Sequence, residues 1–74
     1  MKKHLLGIVI EQDKDGFFAY CPFLQGCYTQ GDTYEEALSN IRDAIRLHLA
    51  DRKAAREPVQ YPEAISITTV QVAG

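Results

Sequence analysis

The segment YCPFLQGCYTQGDTYEEAL, residues 20–38, contains the two chain reversals that decide the fold. Pro22 has no backbone N–H to donate, so a strand arriving here ends. The next residues lead around to a short β-prone run at residues 27–30, and Gly31 and Asp32 break that run. The segment therefore predicts a strand-to-strand corner followed by a strand-to-helix corner.

The second corner carries a helix start signal. Thr33 as the N-cap can accept a hydrogen bond from the amide of Glu36, and the Glu36 carboxylate can reach back, which is the reciprocal capping box. Asp32, Glu35 and Glu36 place negative charge at the positive end of the helix dipole. Apolar residues then recur at helical spacing, which predicts a helix over residues 33–54.

Strands are predicted on both sides of this segment. Residues 5–11 are apolar and β-branched, and FFAYC follows a turn-like QDKDG, so the first two strands should form an antiparallel hairpin across residues 13–16. Residues 65–72 are mostly β-branched and predict a fourth strand, covered on both sides or paired with another subunit. The order β-β-β-α-β is an α+β fold with one helix packed on a small, mostly antiparallel sheet.

Composition is that of a small globular protein. The 74 residues are 46% hydrophobic and 24% charged, which predicts a single domain over residues 1–74 that oligomerisation would support. The longest apolar run is too short to cross a bilayer, and acidic residues follow it where a signal peptide needs small ones, so a cytoplasmic protein is predicted. Residues 1–37 carry six acidic residues and three lysines, which favours a basic protein partner over nucleic acid.

Candidate catalytic and metal-binding residues are few. Cys21 and Cys27 lack the additional closely spaced ligands of a zinc site, and their default role is that of small buried hydrophobes. His48 lies on the apolar stripe of the helix without a nucleophile at a defined spacing. The acidic residues, Glu11 and Asp13 among them, leave a metal-dependent nuclease open as a further hypothesis, although turns and caps explain most of the carboxylates. No catalytic residue, metal or cofactor is predicted.

The aromatic residues of the first half exceed what a three-stranded sheet with one helix can hide, which argues for a protein interface. The predicted partner contacts combine these rings with acidic residues: Tyr20, Phe23, Tyr28, Glu35 and Glu36. Structural roles in the turns and the helix cap are predicted for Gly26, Gly31, Asp32, Thr33 and Glu36.

The run GFFAYCPFLQGCYTQGDTYEEALSNIRDAIRLHLA, residues 16–50, closely resembles the signature of the HicB antitoxin family. That signature has an aromatic second strand ending in proline, a GC third strand, QGDT, and then EEAL with NI and AI in the helix. The resemblance implies a partial ribonuclease-H-like fold without ribonuclease-H activity, and assembly into homodimers or homotetramers. Family members neutralise HicA, a small basic RNA-cleaving toxin with a double-stranded-RNA-binding-domain fold and an active-site histidine, by covering it.

Two departures from the family pattern bear on this expectation. The family usually has PDLPGC where this sequence has PFLQGC, so Phe23 replaces an acid and Gln25 a proline. Many HicB proteins continue into a ribbon-helix-helix or helix-turn-helix module that binds operator DNA, and direct DNA binding is not expected from these residues alone. The resemblance implies an antitoxin that binds a HicA-type toxin; the alternative is an orphan homo-oligomeric interaction module without a toxin.

Overall fold

The computed structural model describes residues 3–74, which form three antiparallel strands followed by one helix. Strands β1 (Val9–Asp13), β2 (Gly16–Tyr20) and β3 (Tyr28–Gly31) form a sheet in the order β1-β2-β3. Helix α1 (Tyr34–Ala54) packs against this sheet. The predicted α+β fold class, with one helix on a small antiparallel sheet, is confirmed.

A two-residue turn joins the first two strands. Asp13 pairs with Gly16 at the end of the β1–β2 ladder. The Asp13 carboxylate accepts a hydrogen bond from the amide of Asp15 at 2.7 Å, which is the local bond that makes aspartate common in turns. The hairpin predicted across residues 13–16 is confirmed.

Strand β1 begins later than the predicted start at residue 5. Its first residue, Val9, lies opposite Tyr20, the last residue of β2. The chain turns away from the sheet after Tyr20, so residues 5–8 have no partner in the ladder. A strand needs such a partner for its backbone N–H and C=O groups, and the ladder therefore ends here.

The corner between β2 and β3 is closed by backbone hydrogen bonds. The amide of Cys21 donates to the carbonyl of Cys27 at 3.0 Å, and the amide of Leu24 donates to the carbonyl of Cys21 at 3.0 Å. All three side chains are buried, and both cysteines are free thiols. Burial, followed by the neighbouring Cys21 thiol, raises the pKa of Cys27 above its ordinary value. The corner is thus part of the core.

Helix α1 is fixed on the sheet by a buried stripe and by one side-chain hydrogen bond. Ala37 and Ile41 are fully buried, and Leu38 packs partly buried beside them. The side-chain amide of Asn40 donates to the backbone carbonyl of Gln30 at 2.9 Å. Since Gln30 belongs to the edge strand β3, this bond ties the helix to one edge of the sheet.

The end of α1 reverses the chain. The amide of Arg56 donates to the carbonyl of Lys53 at 3.1 Å, and the amide of Glu57 donates to the carbonyl of Arg52 at 2.9 Å. These are the two bonds of a Schellman motif, and Arg56 has the left-handed φ of 57° that the motif requires. The predicted helix end at residue 54 is confirmed.

The fourth strand predicted at residues 65–72 is wrong, because this segment, which we call the arm, forms neither strand nor helix. Its side chains Ile65 and Ile67 lie over Gly7, where an added Cβ would be 3.0 Å from each of them. Val70 and Val72 are 83% and 82% exposed. A β-prone sequence becomes a strand only beside a second strand, and β1 does not extend back to residue 7.

The segment before β1 meets the segment after α1 at a stack of three rings. His4 and Tyr61 lie parallel, with ring centroids 3.6 Å apart and an interplanar angle of 3°. Phe23 lies on Tyr61 at a centroid distance of 6.0 Å and an angle of 19°. This ring stack joins the segment before β1, the β2–β3 corner and the segment after α1.

Candidate functional site

One face of the sheet is covered by α1 and the other is open. Ala19 is buried under the helix, and a Cβ added at Gly31 would lie 2.7 Å from the backbone nitrogen of Ala37. Successive residues of a strand point to opposite faces. The residues that alternate with Ala19 in β2 and with Gly31 in β3 therefore point away from the helix. The open face consists of two cross-strand rows: Val9, Tyr20 and Tyr28, and beside them Glu11, Phe18 and Gln30.

Aromatic side chains dominate the open face. Tyr20 and Tyr28 lie directly opposite each other on neighbouring strands and are 39% and 75% exposed. Phe18 lies two residues before Tyr20 on the same face of β2. Tyrosine combines a large apolar ring with a hydroxyl that can form hydrogen bonds, which is why it is enriched in protein interfaces. The open face therefore has the chemistry of a protein-binding surface.

Acidic residues border the open face at its hairpin end. Asp15, Asp32 and Glu36, which we call the acidic rim, line a depression together with Phe18 and Gln30. The Glu36 carboxylate accepts a hydrogen bond from the amide of Asp32 at 3.2 Å. Negative charge beside an aromatic surface favours a partner that carries positive charge around an apolar patch.

The rim residue Glu36 also belongs to the helix cap. The Thr33 hydroxyl accepts a hydrogen bond from the Glu36 amide at 3.0 Å. The Glu36 carboxylate reaches back to the amide of Asp32 instead of that of Thr33, so the return bond spans one residue more than in the capping box. Glu35 and Glu36 both lie in the first turn, where the helix dipole favours negative charge.

Replacing Thr33 by alanine is expected to lower the free energy of unfolding by about 1 kcal/mol, because the Glu36 amide loses its acceptor. Thr33→Ser keeps the hydroxyl and is the matched control, with an unfolding midpoint close to that of the wild type. Urea unfolding followed by circular dichroism measures both variants. Equal losses in the two variants would contradict the assignment of Thr33 as the N-cap.

The predicted site residues lie in different places. Tyr20 and Tyr28 are together on the open face, Glu36 lies on the acidic rim, and Glu35 is exposed in the first turn of α1. Phe23 lies apart from them, partly buried and stacked on Tyr61. Three of the remaining predicted residues are structural by position: Gly26 lies in the β2–β3 corner, Gly31 lies under α1 and Thr33 caps the helix. Asp32 lies at the helix start and also belongs to the acidic rim.

The residues considered for catalysis are not brought together. Among residues 3–74, no three histidine, cysteine or acidic side chains are grouped so that they could hold a metal ion. Glu11 and Asp13 lie on the same face of β1, and the Asp13 carboxylate accepts a hydrogen bond from the amide of Asp15. His48 is half-buried on α1. No helix in this part of the chain is long and apolar enough to cross a bilayer.

Two residues that support the site had no predictive signal. Asn40 occupies a polar position of the helix, and only the placement of α1 on β3 brings it to the carbonyl of Gln30. Tyr61 lies in the segment after the helix, and its ring partners His4 and Phe23 are distant in sequence. Contacts of this kind depend on tertiary structure and leave no local pattern.

Known proteins resemble this chain over most of its length. The profile of a family described as the HicB-like antitoxin of bacterial toxin–antitoxin systems matches residues 6–73. A UPF0150 protein of Helicobacter pylori is 56% identical over 50 residues, which cover 68% of this chain and 69% of the relative. A UPF0150 protein of Synechocystis is 42% identical over 59 residues, or 78% of this chain and 75% of the relative.

A third relative, a UPF0150 protein of Thermoplasma acidophilum, is 40% identical over 62 residues, which cover 82% of this chain and 90% of the relative. No solved structure matches the chain at a significant level, so the partial ribonuclease-H-like fold stays a prediction. The family match extends from before β1 to the end of the arm. The predicted family is confirmed: the chain belongs to the HicB-like antitoxins of bacterial toxin–antitoxin systems.

Proposed function

We propose that this chain neutralises a HicA-type, RNA-cleaving toxin by direct protein contact through the open face. Family membership supports the general class, an antitoxin of a bacterial toxin–antitoxin system. The observation that carries the finer proposal is the pair Tyr20 and Tyr28, exposed side by side on an uncovered sheet face. In this proposal the chain acts in the cytoplasm by binding alone, with no catalytic step and no cofactor.

The acidic rim and the tyrosines have separate tasks in this proposal. Negative charge at the rim attracts a basic toxin over a distance and raises the association rate, and salt screens this attraction. The rings of Tyr20 and Tyr28 lose water only at contact, so they determine the dissociation rate and most of the affinity. Raising the salt concentration should therefore slow association more than it speeds dissociation.

The way in which binding would block RNA from the toxin follows from the charge of the toxin. A protein that cleaves RNA needs positive charge to hold the phosphate backbone. An acidic rim docked on the same positive surface competes directly with RNA, and the adjoining aromatic face excludes RNA from the covered area. Binding at this surface thus stops cleavage without any change in the chemistry of the toxin.

The direct test uses the toxin that a neighbouring short reading frame would encode, a basic protein that contains a histidine. Mixing the two purified proteins should abolish RNA cleavage and produce one complex in gel filtration. Unchanged cleavage with no complex would contradict the antitoxin proposal. That result would favour the alternative hypothesis, an orphan homo-oligomeric interaction module without a toxin.

Replacing Tyr28 by alanine is expected to weaken toxin binding about 30-fold, which corresponds to about 2 kcal/mol for an aromatic residue at the centre of an interface. Tyr34→Ala is the matched control, because Tyr34 is a 50% exposed tyrosine at the start of α1, outside the open face. Isothermal titration calorimetry measures both affinities. Equal effects of the two substitutions would place the contact elsewhere.

A further inference from the structure

The two cysteines lie opposite each other at the β2–β3 corner. Tyr20 pairs with Tyr28 at the end of the ladder, and the hydrogen bond from the amide of Cys21 to the carbonyl of Cys27 continues the same register by one step. Residues directly opposite each other in an antiparallel ladder have Cα atoms about 4.5–5.5 Å apart. A disulfide joins Cα atoms that are about 4.4–6.8 Å apart. The corner therefore holds the two backbones at a separation that suits a disulfide.

The two thiol side chains lie in the same part of the core. Both are buried in one cluster with Ala19 and Ala37. After burial, the second cause that raises the pKa of Cys27 is the Cys21 thiol, and one ionisable group has such an effect on another only at short range. The sequence contains no third cysteine. Any disulfide within one chain therefore joins Cys21 and Cys27.

A disulfide at this position would be strained. The Cβ atoms of directly opposite residues are about 4.5–5.5 Å apart, whereas those of a disulfide are about 3.5–4.5 Å apart. The two Cβ atoms must approach by roughly 1 Å, and a strained disulfide is easily reduced. In reducing compartments, disulfides are mostly transient and redox-sensing. The geometry of this pair is thus that of a reversible bond and not of a permanent cross-link.

The cover over the two thiols is thin. A depression at the corner is lined by both cysteines together with Tyr20 and Tyr28, and a Cβ added at Gly26 would meet no atom within 4 Å. A small oxidant therefore needs only a slight opening of the corner. The raised pKa of Cys27 keeps this thiol protonated, and since the thiolate is the reactive form, the pair stays reduced until the oxidant is abundant.

We propose that Cys21 and Cys27 form a reversible disulfide within the folded chain when a peroxide is present. The two thiols give up two electrons and two protons, the S–S bond forms, the O–O bond of hydrogen peroxide breaks, and both oxygen atoms leave as water. Tyr20 and Tyr28 adjoin the cysteines in sequence, so the bond also shifts the backbone beneath the tyrosine pair of the open face. The proposal concerns the chain alone and does not depend on a toxin.

Mass spectrometry of the folded wild-type chain after peroxide treatment is the first test. Iodoacetamide in denaturant then labels every remaining free thiol, which adds two labels to the reduced chain. The oxidised protein should remain a single chain, lose the mass of two hydrogen atoms and take up no label, while its circular dichroism stays helical. Two labels, a covalent dimer, oxygen added to either cysteine or a loss of helix would each overturn the proposal.

Nuclear magnetic resonance tests reversibility and the effect on the open face. Oxidation should shift the backbone amide signals of Tyr20 and Tyr28, and reduced glutathione, which is itself oxidised to its disulfide, should restore both signals and both thiols. Cys27→Ala cannot form the bond and is the matched control, so its tyrosine signals should not move with peroxide; Cys21→Ala replaces it if the first variant does not fold. Unmoved tyrosine signals in the oxidised wild type, equal shifts in the control, or a bond that glutathione leaves intact would contradict the proposal.

Discussion

Replacing Ile41 by alanine is expected to lower the free energy of unfolding by about 2–5 kcal/mol. Ile41 and Leu24 are the largest fully buried side chains, and Ile41 lies where α1 meets the sheet. The loss combines missing apolar contacts with a cavity that the neighbours fill only in part. A domain of 74 residues has a total stability of about 4–11 kcal/mol, so this one substitution removes a large part of it.

Leu47→Ala on the same helix is the matched control for this prediction. Leu47 is 62% exposed, and its truncation should change the stability by less than about 0.5 kcal/mol. Ile41→Val, which removes one methylene, should cost about 0.5–1.5 kcal/mol. Urea unfolding followed by circular dichroism ranks the three variants. If Leu47→Ala were as harmful as Ile41→Ala, the assignment of the buried face of α1 would be wrong.

Replacing Gly31 by alanine is expected to cost about 1–3 kcal/mol through overpacking. The added Cβ would lie 2.7 Å from the backbone nitrogen of Ala37 and 3.1 Å from its Cα. These are backbone atoms of α1, so they cannot move aside as the tip of a flexible side chain could. The helix has to lift from β3, which also strains the hydrogen bond from Asn40 to Gln30.

Gly26 is the control that separates contact from backbone conformation. It has a φ of +79° and no atom within 4 Å of an added Cβ, so Gly26→Ala costs about 1–2 kcal/mol through the left-handed backbone alone. Asparagine tolerates this conformation better than alanine, and Gly26→Asn should therefore be milder than Gly26→Ala. At Gly31 the larger asparagine should be worse than alanine. Thermal unfolding that gave the same order at both glycines would contradict the steric explanation for Gly31.

The elements with local signals could be predicted from the sequence. The turn between β1 and β2 depends on Asp13 and its neighbours, and the helix start depends on Thr33 and Glu36, which lie three residues apart. The helix end at residue 54 follows from the same local rules. In each case the interacting groups are close in sequence, so residue type and spacing contain the necessary information.

The ends of β1 and the state of the arm could not be predicted in this way. Val9 starts the strand because β2 ends opposite it at Tyr20, and the arm has the composition of a strand but no neighbour that would make it one. β propensity describes how well a residue fits a sheet, and it does not supply the sheet. Strand boundaries therefore follow from tertiary pairing.

The candidate site was predicted in part for the same reason. A surplus of aromatic residues indicated an interface, and in the structure the alternation of side chains along β2 places Tyr20 and Phe18 on one face. The number of aromatic residues could not show which ring packs inside the domain and which one is exposed to a partner. Phe23 stacks on Tyr61, and these two residues are far apart in sequence, so no spacing rule reveals the contact. The role of Phe23 as a partner contact stays a prediction.

The ring stack has a consequence for the time course of folding. The hairpin, the β2–β3 corner and α1 join residues that are near in sequence, and such contacts form quickly because little chain entropy is lost in closing short loops. His4 and Tyr61 are far apart in sequence, so their stacking closes a long loop and gains little until the rest of the domain has folded. We therefore expect the ring stack to form last during folding and to open first during unfolding. Until it opens, it holds the segments before β1 and after α1 together.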